Sequence, residues 1–100
     1  SARTFADGMA CREPDPAAVA IITRGAETVM TVGDDAIAEA IRVYYQSCHT
    51  LAEGAGAAPL AALMKDRERW AGARVGVVLS GGNVDRPVYA DILAGRTPAV

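Results

Sequence analysis

The sequence predicts an α/β fold: two parallel strands flanked by about four helices, incomplete as a stand-alone unit. Three observations carry that expectation. Segments with helical apolar spacing alternate with two short β-branched runs. The second run, Val75 to Leu79, has no polar alternation, as in a parallel strand covered on both faces. Two strands bury little and leave open edges, so further strands are expected from elsewhere in a longer chain or from a partner chain.

The opening stretch "SARTFADGMACREPDP" reads as a loop with no element before it, as if continuing from a longer chain. Asp15-Pro16 then supplies an N-cap and a first-turn proline for a helix running to about Arg24, and Gly25 suits its end. "ETVMTV", 27–32, is short and rich in β-branched residues and predicts a strand. Gly33-Asp34 forms a turn and cap. From Asp35 onward, Ile37, Ala40, Ile41, Tyr44 and Cys48 lie on one helical face, with Glu39, Arg42 and Gln46 away from it. Leu60, Leu63 and Met64 predict a third helix, which ends in the solvated "KDRER". Pro59 fits only if that helix starts near Ala55, since its ring excludes a hydrogen bond to residue 55. Asp85 caps a last helix through about Leu93, and "AGRTPAV" has the look of a frayed end.

Composition narrows the class. One hundred residues make at most one small domain. The chain is 51% apolar and 22% charged, so a folded state is expected. A net charge of −2 gives no electrostatic reason to expect a nucleic-acid or membrane partner. No apolar run reaches the length of a membrane span. Cys11 and Cys48 form no metal or disulfide spacing, and a reduced, cytoplasmic setting is the default.

In open α/β sheets, ligands gather beyond the carboxyl ends of strands. Ser80 is placed at such an end, and Gly81 and Gly82 let another group approach the backbone. "EGAGAA" offers Glu53 beside a small-residue helix start. Each feature alone has a plain alternative: a strand-to-helix turn for the glycines, a buried and satisfied carboxylate for Glu53. A nucleotide-type phosphate loop needs a longer glycine spacing and Lys-Ser/Thr, which "SGGN" lacks. His49 reads as a helix C-terminal cap, Cys48 as core, and Asp34-Asp35 as a helix start, not a metal pair.

Taken together, "TFADG" (4–8), "ETVMTVGDDAI" (27–37), "LAEGAGAA" (51–58) and "VVLSGGNVD" (77–85) resemble, in order and interval, the C-terminal part of the serine/threonine dehydratases. These are fold type II pyridoxal-phosphate enzymes, with serine racemase a relative. The resemblance covers nearly the whole chain, and its "EGAGA" form is similar to that of the catabolic dehydratases. It implies that residues 1–100 are the C-terminal segment of a cofactor-binding large domain. It implies pyridoxal 5'-phosphate as cofactor, a threonine or serine substrate, the rest of the same enzyme chain as partner, and a homo-oligomer. The implied reaction is β-elimination of a hydroxy amino acid to a 2-oxo acid and ammonia.

By the same resemblance, Ser80 hydrogen-bonds the pyridine nitrogen, Glu53 lines the cofactor pocket, and Gly81 shapes the turn beside the ring together with Gly82 and Asn83. Asp7 and Gly8 border the substrate side. No catalytic residue is assigned within the segment: Lys65, in a solvated helix end, is a poor Schiff-base candidate, and the lysine and phosphate cup are expected upstream. No metal ligand is assigned either. The segment alone is expected to be inactive. The alternatives are a racemase of the same family and a non-enzymatic phosphate-binding or interaction module.

Overall fold

The computed structural model describes residues 2–100. Among them the regular elements are all helical: a short 3-10 turn, Asp7–Met9, then α1 (Pro16–Gly25), α2 (Asp34–Cys48), α3 (Gly54–Lys65) and α4 (Arg86–Leu93). The two expected parallel strands are absent among these residues, which corrects the α/β expectation. A strand exists only as part of a hydrogen-bonded ladder. Among the described residues no backbone–backbone hydrogen bond outside the helices involves residues 27–32 or 75–79. Val29 and Val78 are 76% and 73% exposed. The β-branched runs meet the local preference for a pleated, half-buried surface, but no such surface faces them in this chain.

The helix ends follow local chemistry. The Asp15 carboxylate accepts the Ala17 N–H at 2.8 Å, and Pro16 occupies the first helical position. Asp34 and Asp35 fill the first turn of α2, where acidic groups suit the helix dipole. His49 ends α2 in the left-handed region (φ 51°, ψ 39°), and its N–H reaches the Tyr45 carbonyl at 3.0 Å. It is exposed, as expected of a cap. Pro59 sits inside α3, close enough to the start for its missing N–H to cost one bond.

The core lies where α2 meets α3 and α4. Ile37, Ala38, Ala40 and Ile41 of α2 are buried, with Ala57, Ala58 and Ala61 of α3 and Ile92 of α4. Alanine on both facing helices brings their backbones close, so the seam is tight but thin. The apolar stripe of α2 fades beyond Tyr44: Cys48, expected in the core, is exposed. The buried face of α3 is alanine, and Leu60, Leu63 and Met64 are only half-buried. Helix α1 contributes nothing to the core, and Val19, Ile21 and Ile22 face solvent.

Polar contacts fasten the ends of the chain. Thr4 Oγ1 donates to Asp34, fixing the N-terminal loop to the start of α2. Thr97 Oγ1 donates to Asp35 at 2.5 Å, and Arg42 donates to the Ile92 carbonyl at 3.0 Å, so "AGRTPAV" is held against α2 and not frayed.

The Tyr44 and Tyr89 hydroxyls are buried with no hydrogen-bond partner. Burial raises both phenols above the usual 10.0. A raised folded value favours the neutral form in the native state, so the associated stability is complete below the unfolded value and is lost as pH rises through the folded one. Unfolding free energy, measured by urea titration from neutral to strongly alkaline pH, is expected to fall once pH passes about 10. The Tyr44→Phe/Tyr89→Phe pair flattens that fall and is neutral or slightly stabilising at pH 7, because it removes two unpartnered polar atoms. Identical alkaline slopes in both proteins would refute the assignment.

Candidate functional site

Three of the sequence segments singled out above meet around the first turn of α3. Glu53 is its N-cap: the carboxylate accepts the Ala55 N–H through Oε2 at 3.0 Å and the Gly56 N–H through Oε1 at 2.9 Å. Its own N–H donates to the Gly81 carbonyl at 3.1 Å. One residue therefore holds the helix start with its side chain and the "SGG" turn with its backbone. The helix dipole places partial positive charge at the same carboxylate.

The glycines record how closely these segments lie. A Cβ added to Gly54 would stand 2.7 Å from Ala6, and one added to Gly82 would stand 2.5 Å from the Leu51 carbonyl oxygen. Residues 4–8, 51–58 and 79–85 are thus in backbone contact. Between them lies a cleft of about 110 Å³ lined by Phe5, Asp7, Glu53, Gly54, Asn83 and Asp85, together with Val84 and Val88.

Of the residues the sequence pointed to, Asp7, Glu53 and Asn83 line this cleft. Gly8 packs beside it, its position facing Ala55 and the Glu53 carboxylate. Gly81 is half-buried against Glu53. Ser80 is exposed at the neighbouring position of the turn, and no hydrogen bond joins its hydroxyl to Glu53. Lys65 lies elsewhere, its Nζ donating to the Thr31 carbonyl at 2.9 Å. Asp85 precedes α4 as expected, but its side chain makes no cap hydrogen bond, and the residue lines the cleft.

The sequence reading missed Phe5, Asp85, Val84 and Val88 as cleft residues. Only the crossing of loops distant in sequence reveals them. The close contacts of Gly54 and Gly56 left a signal: two glycines in one helical turn are unfavourable without a packing reason. A separate, larger hollow of about 500 Å³ is lined by Met9, Met30, Val32 and Ile37 among others, and shares no residue with the cleft. Among the described residues no group of three or more His, Cys, Asp or Glu is placed to hold a metal, and no helix is long and apolar enough to cross a membrane.

Small residues thus cross at close range beside a polar turn. Residues 1–81 match the family described as pyridoxal-phosphate dependent enzyme. The chain belongs to this family of enzymes. It is 34% identical over 92% of its length to an L-threo-3-hydroxyaspartate ammonia-lyase of a Pseudomonas species, covering 29% of that protein. It is 40% identical over 82% of its length to an L-threonine ammonia-lyase of Geobacter sulfurreducens, covering 20% of that protein. A serine racemase of Schizosaccharomyces pombe is 28% identical over 92% of the chain and 28% of its own length. The chain spans less than a third of the length of these relatives.

The cleft is too small to hold the whole of pyridoxal phosphate. Cofactor pockets usually measure roughly 300–1,000 Å³, and a cleft of about 110 Å³ accommodates an edge of the group, not the whole. Ser80 is exposed and is not among the residues that line the cleft.

Proposed function

We propose that this chain is the pyridine-side wall of a pyridoxal-phosphate-dependent ammonia-lyase acting on a hydroxy amino acid such as threonine or serine. The convergence of residues 4–8, 51–58 and 79–85 through the Glu53–Gly81 contact carries the reading. Relatives named ammonia-lyases reach 34% and 40% identity, against 28% and 32% for two relatives named serine racemases, and this supports elimination over racemisation. Bound pyridoxal phosphate supplies the electron sink for deprotonation at the substrate α-carbon and loss of the β-hydroxyl.

Each residue then has a task. The Ser80 hydroxyl hydrogen-bonds the pyridine nitrogen. A hydroxyl is too weak an acid to hand over its proton, so the ring remains a moderate acceptor, suited to elimination. Glu53 keeps the α3 turn and the "SGG" turn in register and lines the pocket. Gly81 keeps the approach to the ring clear. Asp7 and Gly8 border the substrate side. Lys65 is not the cofactor lysine, since it is exposed and engaged with Thr31. That lysine and the phosphate-binding loop belong to the remaining length of such an enzyme. The exposed Val19, Ile21 and Ile22 of α1 favour further chain packed against this one.

Two measurements test this. The chain by itself, given pyridoxal phosphate and threonine or serine, is expected to form no 2-oxo acid. A chimera in which it replaces the matching segment of the Pseudomonas ammonia-lyase is expected to bind the cofactor and deaminate a hydroxy amino acid. Turnover by the chain alone, or a folded chimera that binds no cofactor, would overturn the reading.

A further inference from the structure

We propose that Gly56 is a positioning residue for the Ser80 turn, an inference that rests on the role of Ser80 proposed above. Gly56 is buried in the first turn of α3, and its φ is not positive. Backbone freedom therefore does not explain a glycine here, and alanine is the better helix former. The explanation is steric. A Cβ at this position would stand 2.5 Å from the Gly81 carbonyl oxygen, 3.2 Å from the Gly81 nitrogen and 3.4 Å from Leu79 Cδ2. Two of these three atoms belong to backbone, so no rotamer change relieves the contact.

The Gly81 carbonyl is also tied through Glu53. The Gly81 carbonyl accepts the Glu53 N–H at 3.1 Å, and the Glu53 carboxylate accepts the Gly56 N–H at 2.9 Å. Glu53, Gly56 and Gly81 form a closed ring of contacts in which the helix turn lies flat on the Gly81 peptide. The Gly81 nitrogen belongs to the Ser80–Gly81 peptide and the Gly81 carbonyl to the next one, so a Cβ at Gly56 presses on both peptides that meet at Gly81. A shift of the Ser80–Gly81 peptide is passed to Ser80 through a rigid, planar unit. With one methyl at Gly56, helix and turn must part by about half an ångström or more, because a close-packed interior has no slack to absorb it. The hydroxyl then meets a ring nitrogen at the wrong distance, although no group that touches the cofactor has been removed.

The test uses the cofactor-loaded chimera described above, with Gly56→Ala, Gly54→Ala, Gly76→Ala and Ser80→Ala. Gly56→Ala is expected to lower kcat by about 10- to 100-fold, the scale of a misplacement near one ångström, with KM for the amino acid little changed. It is expected to weaken pyridoxal-phosphate binding, to alter the cofactor absorbance in the same sense as Ser80→Ala, and to displace Ser80 in a crystal structure of the cofactor-free protein. Gly54→Ala carries a matched steric insult, but against Ala6 on the other side of the turn; because Gly54 lines the cleft, its comparison is made on the position of Ser80, which it is expected to leave unmoved while lowering stability. Gly76→Ala, with nothing within 4 Å of its Cβ, is the neutral control. If Gly56→Ala yields no holoprotein, Gly82→Ala, which crowds the same turn against the Leu51 carbonyl, serves for the same measurements. Ser80→Ala with unchanged kcat and absorbance would remove the role given to Ser80. A strong Ser80→Ala effect together with an unmoved Ser80 in Gly56→Ala would overturn the positioning role alone. A displacement of Ser80 in Gly54→Ala equal to that in Gly56→Ala would reduce Gly56 to a packing residue.

Discussion

Replacing Ile41 with alanine is expected to cost about 3–4 kcal/mol and abolish cooperative unfolding of the chain. Among the described residues ten make up the buried apolar core, and seven of them are alanine. Of these described residues, Ile41 and Ile92 are the large side chains that are fully buried. An alanine seam brings α2 and α3 together at short range but removes little apolar area from water, and stabilisation scales with that area. Small domains have about 5–15 kcal/mol of net stability at most, so a loss of 3–4 kcal/mol is a large share. Ile41 faces α3 from the middle of α2, where a cavity cannot close without parting the helices. Ile21→Ala provides the contrast, because its side chain already faces water: a change within about 0.5 kcal/mol is expected. Circular-dichroism melts of the two variants decide the matter, and equal losses would show that the core has been misplaced.

Glu53→Ala is expected to cost about 1–2 kcal/mol, the usual range for losing a helix N-cap. Here two backbone N–H groups, those of Ala55 and Gly56, lose a charged acceptor together. The damage also reaches the cleft, because the "SGG" turn rests on the same residue through the Gly81 carbonyl. Glu53→Gln keeps one acceptor oxygen and is expected to retain about half the effect. Hydrogen exchange at the Ala55 and Gly56 amides should accelerate in Glu53→Ala while the Ala57 amide, which donates to the Glu53 carbonyl, changes less. Undiminished protection of those two amides would show that water replaces the carboxylate at no cost. The chimera gives a second reading, in which weaker cofactor binding accompanies the lost cap.

These two sites differ in how far the sequence revealed them. Ile41 was legible: it falls on the helical face of Ile37 and Tyr44, and periodicity requires no knowledge of what the face meets. Glu53 was legible as a residue of interest beside a small-residue helix start, but not as the residue joining that start to Gly81. The join depends on a backbone hydrogen bond between residues 28 positions apart, and nothing local encodes it. Cys48 shows the opposite failure. It continues the stripe of α2 perfectly in spacing, yet lies past the point where α3 and α4 cover that helix, so it is exposed.

The sequence by itself determined the helices, the Asp15 and His49 caps and the family, because those rest on sequence patterns: an Asp-Pro start, a 3.6-residue apolar period, and "EGAGA" followed at its distance by "LSGGN". The tertiary structure decided what needs a second surface. Residues 27–32 and 75–79 carry the composition of strands, but a strand requires a neighbour to donate and accept hydrogen bonds, and none lies beside them here. It also decided that three loops close on one cleft, and that Gly56 lies against the Gly81 peptide at a distance only glycine permits.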